Sequence, residues 1–270
     1  MPVGPPVYVT RQTAPDAPRF GLLSVASMPT DGGDRAVYNG IEYDLPPEPK
    51  ATASPTDCVD TPADPIDLDR GHPTTTAMPI RAWSGFECSA VGLDDAEIAS
   101  YARAKLTAAE SPYLEAELWS EADPSLMSAD TVVLEDTAVP LEVGIGLLEG
   151  WLHTSYAGVG ALHIPRALGA LADHKSVLHA SGSKLATLVG TPAALGNYPT
   201  TGPDGEDAAA GTYWIVASGD VVARRGEIKV HTTQPAARLD WRRNNIQGIA
   251  ERSYVVSFDD VAAAVLVNLT

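Results

Sequence analysis

The sequence predicts an α+β protein, and three observations carry that prediction. The first 80 residues hold 14 of the 22 prolines and show no helical period, which excludes a compact helical domain there. Two amphipathic helical patterns follow between residues 94 and 153. The last third, from Gly211 to Leu269, consists of apolar runs rich in Val, Ile, Tyr and Trp separated by Gly, Asp and Pro, the pattern of consecutive strands. Helices and strands are grouped rather than alternated, which sets the chain apart from a regular βαβ protein.

Taken in order, Phe20 to Ala26 and Val37 to Tyr43 read as strands around the turn residues Asp31-Gly32-Gly33-Asp34, so a hairpin is expected. Residues 46 to 76 form an acidic loop rich in Pro and Thr. Loops of that length inside a compact domain are either disordered or held by something outside it. A helix starts at Asp94, which makes a capping-box pair with Glu97, and Ile98, Ala102, Leu106 and Ala109 share one face. Tyr113, Leu114 and Leu118 carry the stripe to Trp119, which predicts one long helix kinked or broken at Ser111-Pro112.

A second helix is predicted from Val139 or Pro140 to His153, with Leu141, Ile145, Leu148 and Leu152 on its stripe. Gly144, Gly146 and Gly150 each cost about 1 kcal/mol relative to Ala, so packing must supply the difference. Gly158 to Ile164 reads as a buried strand, and Pro165 as the first position of a short helix bearing Leu168 and Leu171. Strands follow at Ser176 to His179 and Leu185 to Val189, joined by a hairpin turn at Ser181 to Lys184, and Gly190-Thr191-Pro192 turns the chain. A polar loop over 196–211 precedes the final strands, Tyr213 to Ala217, Tyr254 to Val256 and Val261 to Leu269.

Composition narrows function. A net charge of -17 argues against gripping nucleic acid through its phosphates, which takes clustered Lys and Arg. No apolar run is long enough for a membrane span, and the N-terminus has neither a basic nor an apolar leader region, so a soluble protein made in the cytoplasm is expected. Cys58 and Cys88 lie outside any zinc or thioredoxin spacing. They are either two unrelated thiols or a disulfide closing the later part of the Pro-rich loop.

The search for chemistry is mostly negative. His163, His174 and His179 fall close together without HxxxH or HExxH spacing, and His163 sits in an apolar strand, where a hydrogen-bonded core histidine is expected. Gly169 to Ser176 keeps the outer residues of a phosphate loop, yet it lacks the glycine before Lys175 and reads as helix. No GxSxG elbow occurs. Asp57, Asp60, Asp64, Asp67 and Asp69 are interrupted by prolines and lack the glycine and bidentate glutamate of an EF-hand. No cofactor or metal is therefore expected. Arginines beside tryptophans are typical interface anchors, which makes Trp83, Trp241, Arg242 and Arg243 the candidate inter-subunit contacts, and an assembly protein a better reading than an enzyme.

Several strings resemble the major capsid proteins of tailed bacteriophages, the Hong Kong 97 type fold, in particular those of actinobacterial phages; encapsulin shells share this fold. Ala161-Leu162-His163-Ile164-Pro165-Arg166 is similar to the family's strand followed by a Pro-Arg helix. Leu185 to Pro192 is similar to its apolar strand ending in Gly-x-Pro. Thr212 to Ser218, Glu227 to His231, Asn244 or Asn245, and Glu251-Arg252 are similar to the strands and the Asn to Glu-Arg return that come after it. The resemblance implies an N-terminal arm (1–20), an extended loop comprising the hairpin and the acidic segment (21–85), a peripheral domain with a long spine helix (86–150), an axial domain (151–225), and strands returning to the peripheral domain (226–270).

It further implies a homo-oligomer of pentamers and hexamers that closes an icosahedral virion head around double-stranded DNA. Separate scaffold, portal and decoration proteins are the expected partners. An encapsulin-like compartment, another virion component such as a tail or decoration protein, and an enzyme built on the histidine cluster are the alternatives. Lys50 is the one lysine of the extended loop and no asparagine is placed opposite it, so isopeptide cross-linking is not implied. On an acidic chain, Arg242 and Arg243 are expected to meet carboxylates of a neighbouring subunit.

Overall fold

The computed structural model describes residues 18–30, 33–47, 71, 73–89, 94–156, 158–232, 245–259 and 261–269. In chain order the elements are α1 (Leu22–Val25), α2 (Gly33–Asn39), β1 (Ile41–Asp44), β2 (Thr74–Ala77), β3 (Pro79–Ser89), α3 (Asp95–Ser120), β4 (Val132–Pro140) and α4 (Leu141–Trp151). A π-helical turn over Leu152–Tyr156 and β5 (Ala161–Pro165) come next, then a 3-10 turn, α5 (Gly169–His174), β6 (His179–Ser181), β7 (Lys184–Ala186) and β8 (Pro192–Gly196). The chain ends with β9 (Thr212–Ser218), β10 (Val221–Arg225), β11 (Lys229–Thr232), β12 (Asn245–Phe258) and β13 (Ala262–Asn268). The predicted α+β class is what the structure has.

The elements fall into two compact units. One comprises Trp83–Glu110 and Ile228–Glu251; the other comprises Arg19–Ala82, Ser111–Glu227 and Arg252–Thr270. In the first unit β11 pairs antiparallel with the start of β12, with Lys229 opposite Glu251 and Thr232 opposite Gly248, and β3 also pairs with β12. The first half of α3 lies here. Its capping box is formed, Glu97 N–H donating to Asp94 Oδ1 at 2.8 Å and Asp94 N–H to Glu97 Oε2 at 2.9 Å. Phe86 stacks on Tyr101 with centroids 5.1 Å apart, and Lys105 Nζ donates to Gly85 O at 2.9 Å.

The second unit is built on a seven-stranded sheet in the order β4-β13-β9-β5-β8-β7-β6. On one face Leu162 and Ile164 of β5, Ile215 and Ala217 of β9, and Ala263, Val265 and Val267 of β13 pack with Leu141, Ile145, Leu148 and Leu152. The opposite positions, Ala161 and His163 on β5 and Val216 and Ser218 on β9, are buried as well. A strand covered on both faces needs apolar residues at nearly every position, which is why β5 and β9 read as continuous apolar runs. Gly144 has a packing reason, since a Cβ there would stand 2.5 Å from Val267 Cγ1 and 3.2 Å from Ile215 Cδ1. At Gly146 and Gly150 a Cβ would meet nothing within 4 Å.

Several expectations need correction. The stretches Phe20 to Ala26 and Val37 to Tyr43 do not form a hairpin. The first makes the short α1, because Leu22 N–H donates to a glutamate of α3 and Phe20 O accepts from Leu195 N–H at 2.6 Å, so its polar groups are taken. The second is helical up to Asn39, ending where Gly40 takes φ 83° and donates to Ala36 O, the geometry of a glycine C-cap. The hairpin of this region pairs β1 with β2 instead, from Ile41 opposite Ala77 to Asp44 opposite Thr74, so the acidic segment springs from its far end.

The long helix is assigned without a break through Pro112. Its buried stripe is Ile98, Ala102, Leu106, Glu110, Leu114 and Leu118, with Glu110 where Ala109 was expected. Steps of four residues drift about 40° each around a helix of 3.6 residues per turn, so the two halves bury different faces. Pro165 is the cap residue rather than the first residue of its helical turn. β4 was not expected at all, and Pro192–Gly196, bounded in the sequence reading by a turn on one side and a polar loop on the other, is a strand. The last strand, expected to return towards the long helix, lies between β9 and β4 in the seven-stranded sheet.

Candidate functional site

The buried polar residues of the second unit are fasteners. Glu115 projects from the apolar stripe of α3 and is 4% exposed. Its Oε1 accepts from Leu22 N–H at 3.0 Å and from Ser111 Oγ at 3.2 Å, and its Oε2 accepts from Asn197 N–H at 2.7 Å. One carboxylate therefore ties the start of α1 and the end of β8 to the helix. Hydrogen bonds to a charged acceptor are about twice as strong as neutral ones.

One residue further along, Tyr198 stacks on Trp119 at 5.2 Å and meets His163 edge-on at 5.6 Å. Trp119 Nε1–H donates to Thr201 O at 2.8 Å. His163 is fully buried, with Nδ1 3.0 Å from Tyr198 Oη and Nε2 2.9 Å from Ser218 Oγ. Ser218 Oγ donates to Gly219 O at 2.9 Å, so it accepts from His163 Nε2–H. Nδ1 must then accept from Tyr198 O–H, which fixes a neutral imidazole as the single consistent tautomer. Burial pushes the His163 pKa down to about 3, and burial with the charge of Glu115 pushes Tyr198 well above its ordinary value. This chain of donors has no solvent contact at its histidine and links β5, β9 and the segment after β8.

The surface has the opposite character. Leu188 and Val189, in the turn between β7 and β8, are 88% and 72% exposed, and Val159 just before β5 is 66% exposed. Val132 and Val133 at the start of β4 are 46% and 43% exposed. All five lie at one end of the sheet, because β4, β5, β8 and β13 start there and β7 and β9 finish there. A groove of about 280 Å³ beside α2 and the end of β10 carries Asp34 and Glu227 with Arg224 and Arg225, so its charges cancel.

Of the residues singled out from sequence, Trp83 stands on β3 and is 67% exposed. Cys88 falls in the same strand. Trp241, Arg242, Arg243 and Cys58 lie outside the described residues, and so does any pairing of Cys58 with Cys88. The three neighbouring histidines separate: His163 is buried, whereas His174 at the end of α5 and His179 on β6 are exposed. Among the described residues no group of three His, Cys, Asp or Glu side chains converges to hold a metal ion. Glu115 escaped the sequence reading. Its signal was a carboxylate between Leu114 and Leu118, on the side of the helix that the pattern assigns to the core.

A hairpin, a long helix and then a broad sheet follow one another along the chain, and the solved structures it is similar to have the Hong Kong 97 type fold. No protein-family model and no curated sequence matches the chain. Solved structures do. A chain of Gordonia phage Cozz is 13% identical with a TM-score of 0.56, covering 99% of this chain and 92% of its own. The capsid of the native GTA particle matches at 13% identity and a TM-score of 0.55, over 98% and 96%. The SrpI encapsulin of Synechococcus elongatus matches at 13% identity and 0.54, over 97% and 94%.

Proposed function

We propose that the chain is the major capsid protein of a tailed phage, a structural subunit that closes into an icosahedral head around double-stranded DNA. The observation that carries this reading is end-to-end correspondence with shell chains: almost all of this chain aligns with almost all of each of them. The likeness is thus one of whole subunits rather than of one shared domain. The phage of Gordonia among them supports an actinobacterial host.

In this reading the role is structural, with no turnover. Residues 1–20 serve as the arm and 21–85 as the extended loop that reach over neighbouring subunits, residues 86–150 carry the spine helix, and 151–225 form most of the axial domain, with 226–270 completing the sheets. Trp83, Trp241, Arg242 and Arg243 are the proposed contacts between copies. Scaffold and portal proteins are separate chains, the DNA is enclosed without sequence-specific contacts, and the protein, made in the host cytoplasm, ends in the virion. No described helix is long and apolar enough to cross a membrane.

The encapsulin match of comparable extent supports the second reading, a compartment shell. Negative-stain electron microscopy of the expressed chain, alone and with its neighbouring genes, tests both. Closed shells or capsomer rings are expected. Their absence under every condition overturns both readings, and shells that enclose a co-expressed cargo protein favour the compartment.

A further inference from the structure

Among the described residues the seven-stranded sheet ends in β4 and β6, and the charges on these two edges differ. β4 contains Glu135 and Asp136 and no Lys, Arg or His. The hairpin from His179 to Lys184 contains no carboxylate and carries His179 and Lys184, both exposed. His174 and Lys175 lie just before it; Lys175 is held by Glu142 at 3.0 Å, and Lys184 is the one charged residue of the hairpin itself.

The apolar residues add a second match. β4 begins with exposed Val132 and Val133, and β7 runs up into the turn bearing Leu188 and Val189. Both pairs lie at the same end of the sheet. Glu135 and Asp136 stand two to three residues below Val133, roughly 7 to 10 Å at about 3.3 Å per strand residue, and Lys184 stands four residues before Leu188 on the strand that leads into its turn. Rotation of copies about one axis keeps equivalent strand ends level, which is what a head-to-tail contact requires; such contacts close into rings when the rotation divides a full turn. An edge strand exposing two valines is otherwise a liability that proteins blunt with charge or Pro.

We propose that neighbouring copies of the chain join through these edges, β4 of one copy facing the β6–β7 hairpin and the Leu188-Val189 turn of the next, to make the ring of a capsomer. The proposal rests on the shell reading and adds which surfaces meet and in what order.

Charge exchange tests it. Lys184→Glu alone, and Glu135→Lys with Asp136→Lys alone, are each expected to cut ring yield, measured by native mass spectrometry, by about tenfold or more, and the three together to restore most of it. Asp136 and Lys184 are exposed and Glu135 is half-buried, and circular dichroism checks that each variant is folded. A second arm places Val133→Cys and Leu188→Cys in a Cys58→Ser/Cys88→Ser chain. Oxidation should give a ladder of covalent oligomers that neither single cysteine gives. Wild-type rings with unaffected charge variants, or rings whose double-cysteine version yields no ladder, overturn the edge contact and leave the shell reading standing. A wild-type chain that never assembles overturns both.

Discussion

His163 and Leu188 belong to the same sheet and are both out of place by the usual rule of apolar inside and polar outside. His163 is fully buried on β5, the central strand, and Leu188 is 88% exposed beside the far edge. The difference lies in what surrounds each. Around His163 every donor and acceptor is matched, from Tyr198 O–H through the imidazole to Ser218 and Gly219 O, so burial costs little beyond the desolvation already offset. Among the described residues nothing covers Leu188, and in the proposed ring it meets the opposite edge of the same sheet in the next copy. Exceptions inside the subunit hold its own segments together; exceptions at its edges await another copy.

Breaking the interior should have the larger effect on stability, beginning with Glu115. Glu115→Ala leaves the Leu22 and Asn197 N–H groups without their acceptor in a closed setting, a loss of about 3 kcal/mol. Glu115→Gln keeps one acceptor oxygen and should lose roughly half as much. Urea unfolding followed by tryptophan fluorescence reads both. A loss below about 1 kcal/mol for the alanine variant would sink the idea that this carboxylate fastens α1 and β8 to the long helix.

The histidine chain breaks differently, through pH. The folded-state pKa of His163 is lowered to about 3, whereas the unfolded chain titrates near 6.5. Between these values the unfolded state binds one more proton, so stability falls as pH drops below about 6.5 and continues to fall towards 3, by roughly 1.4 kcal/mol per unit at most. Between pH 7 and 4.5 the wild type should therefore lose about 2 to 3 kcal/mol more than His163→Gln, whose amide keeps one donor and one acceptor for Ser218 and Tyr198. Parallel pH profiles for the two proteins would show that His163 is not the group that titrates.

The contrast between interior and edge also accounts for how much of the fold was legible in the sequence. The long helix α3, α4 and the central strands β5 and β9 announced themselves through apolar periodicity, because each serves one core: α4 with Leu141, Ile145 and Leu148 is the clearest case. β4 did not, since an edge strand carrying Val132, Val133, Glu135 and Asp136 mixes exposed apolar and acidic residues without alternation. Gly40 falls inside the expected strand Val37 to Tyr43 and is a helix cap, a distinction that depends on φ. His163 was legible as a core histidine from its apolar neighbours. Its partners Tyr198 and Ser218, 35 and 55 residues away, were not, because no local pattern encodes a long-range hydrogen bond.

The smallest expected effect on the isolated subunit comes from the edge, and it sharpens the contrast most. Leu188→Ser with Val189→Ser removes two large apolar side chains that contact water in the subunit, so unfolding should shift by no more than about 0.5 kcal/mol. No core area is lost, and the turn is set by backbone bonds from Thr187 N–H to Thr191 O and from Gly190 N–H to Thr187 O, which serines leave intact. Assembly should nevertheless fail or weaken, because fully burying one such side chain against a partner contributes about 1.5 to 3 kcal/mol and each copy in a ring repeats the contact. Monomers with unchanged urea midpoints that no longer form rings would place these residues in the contact between copies; rings as stable as wild type would return them to ordinary surface.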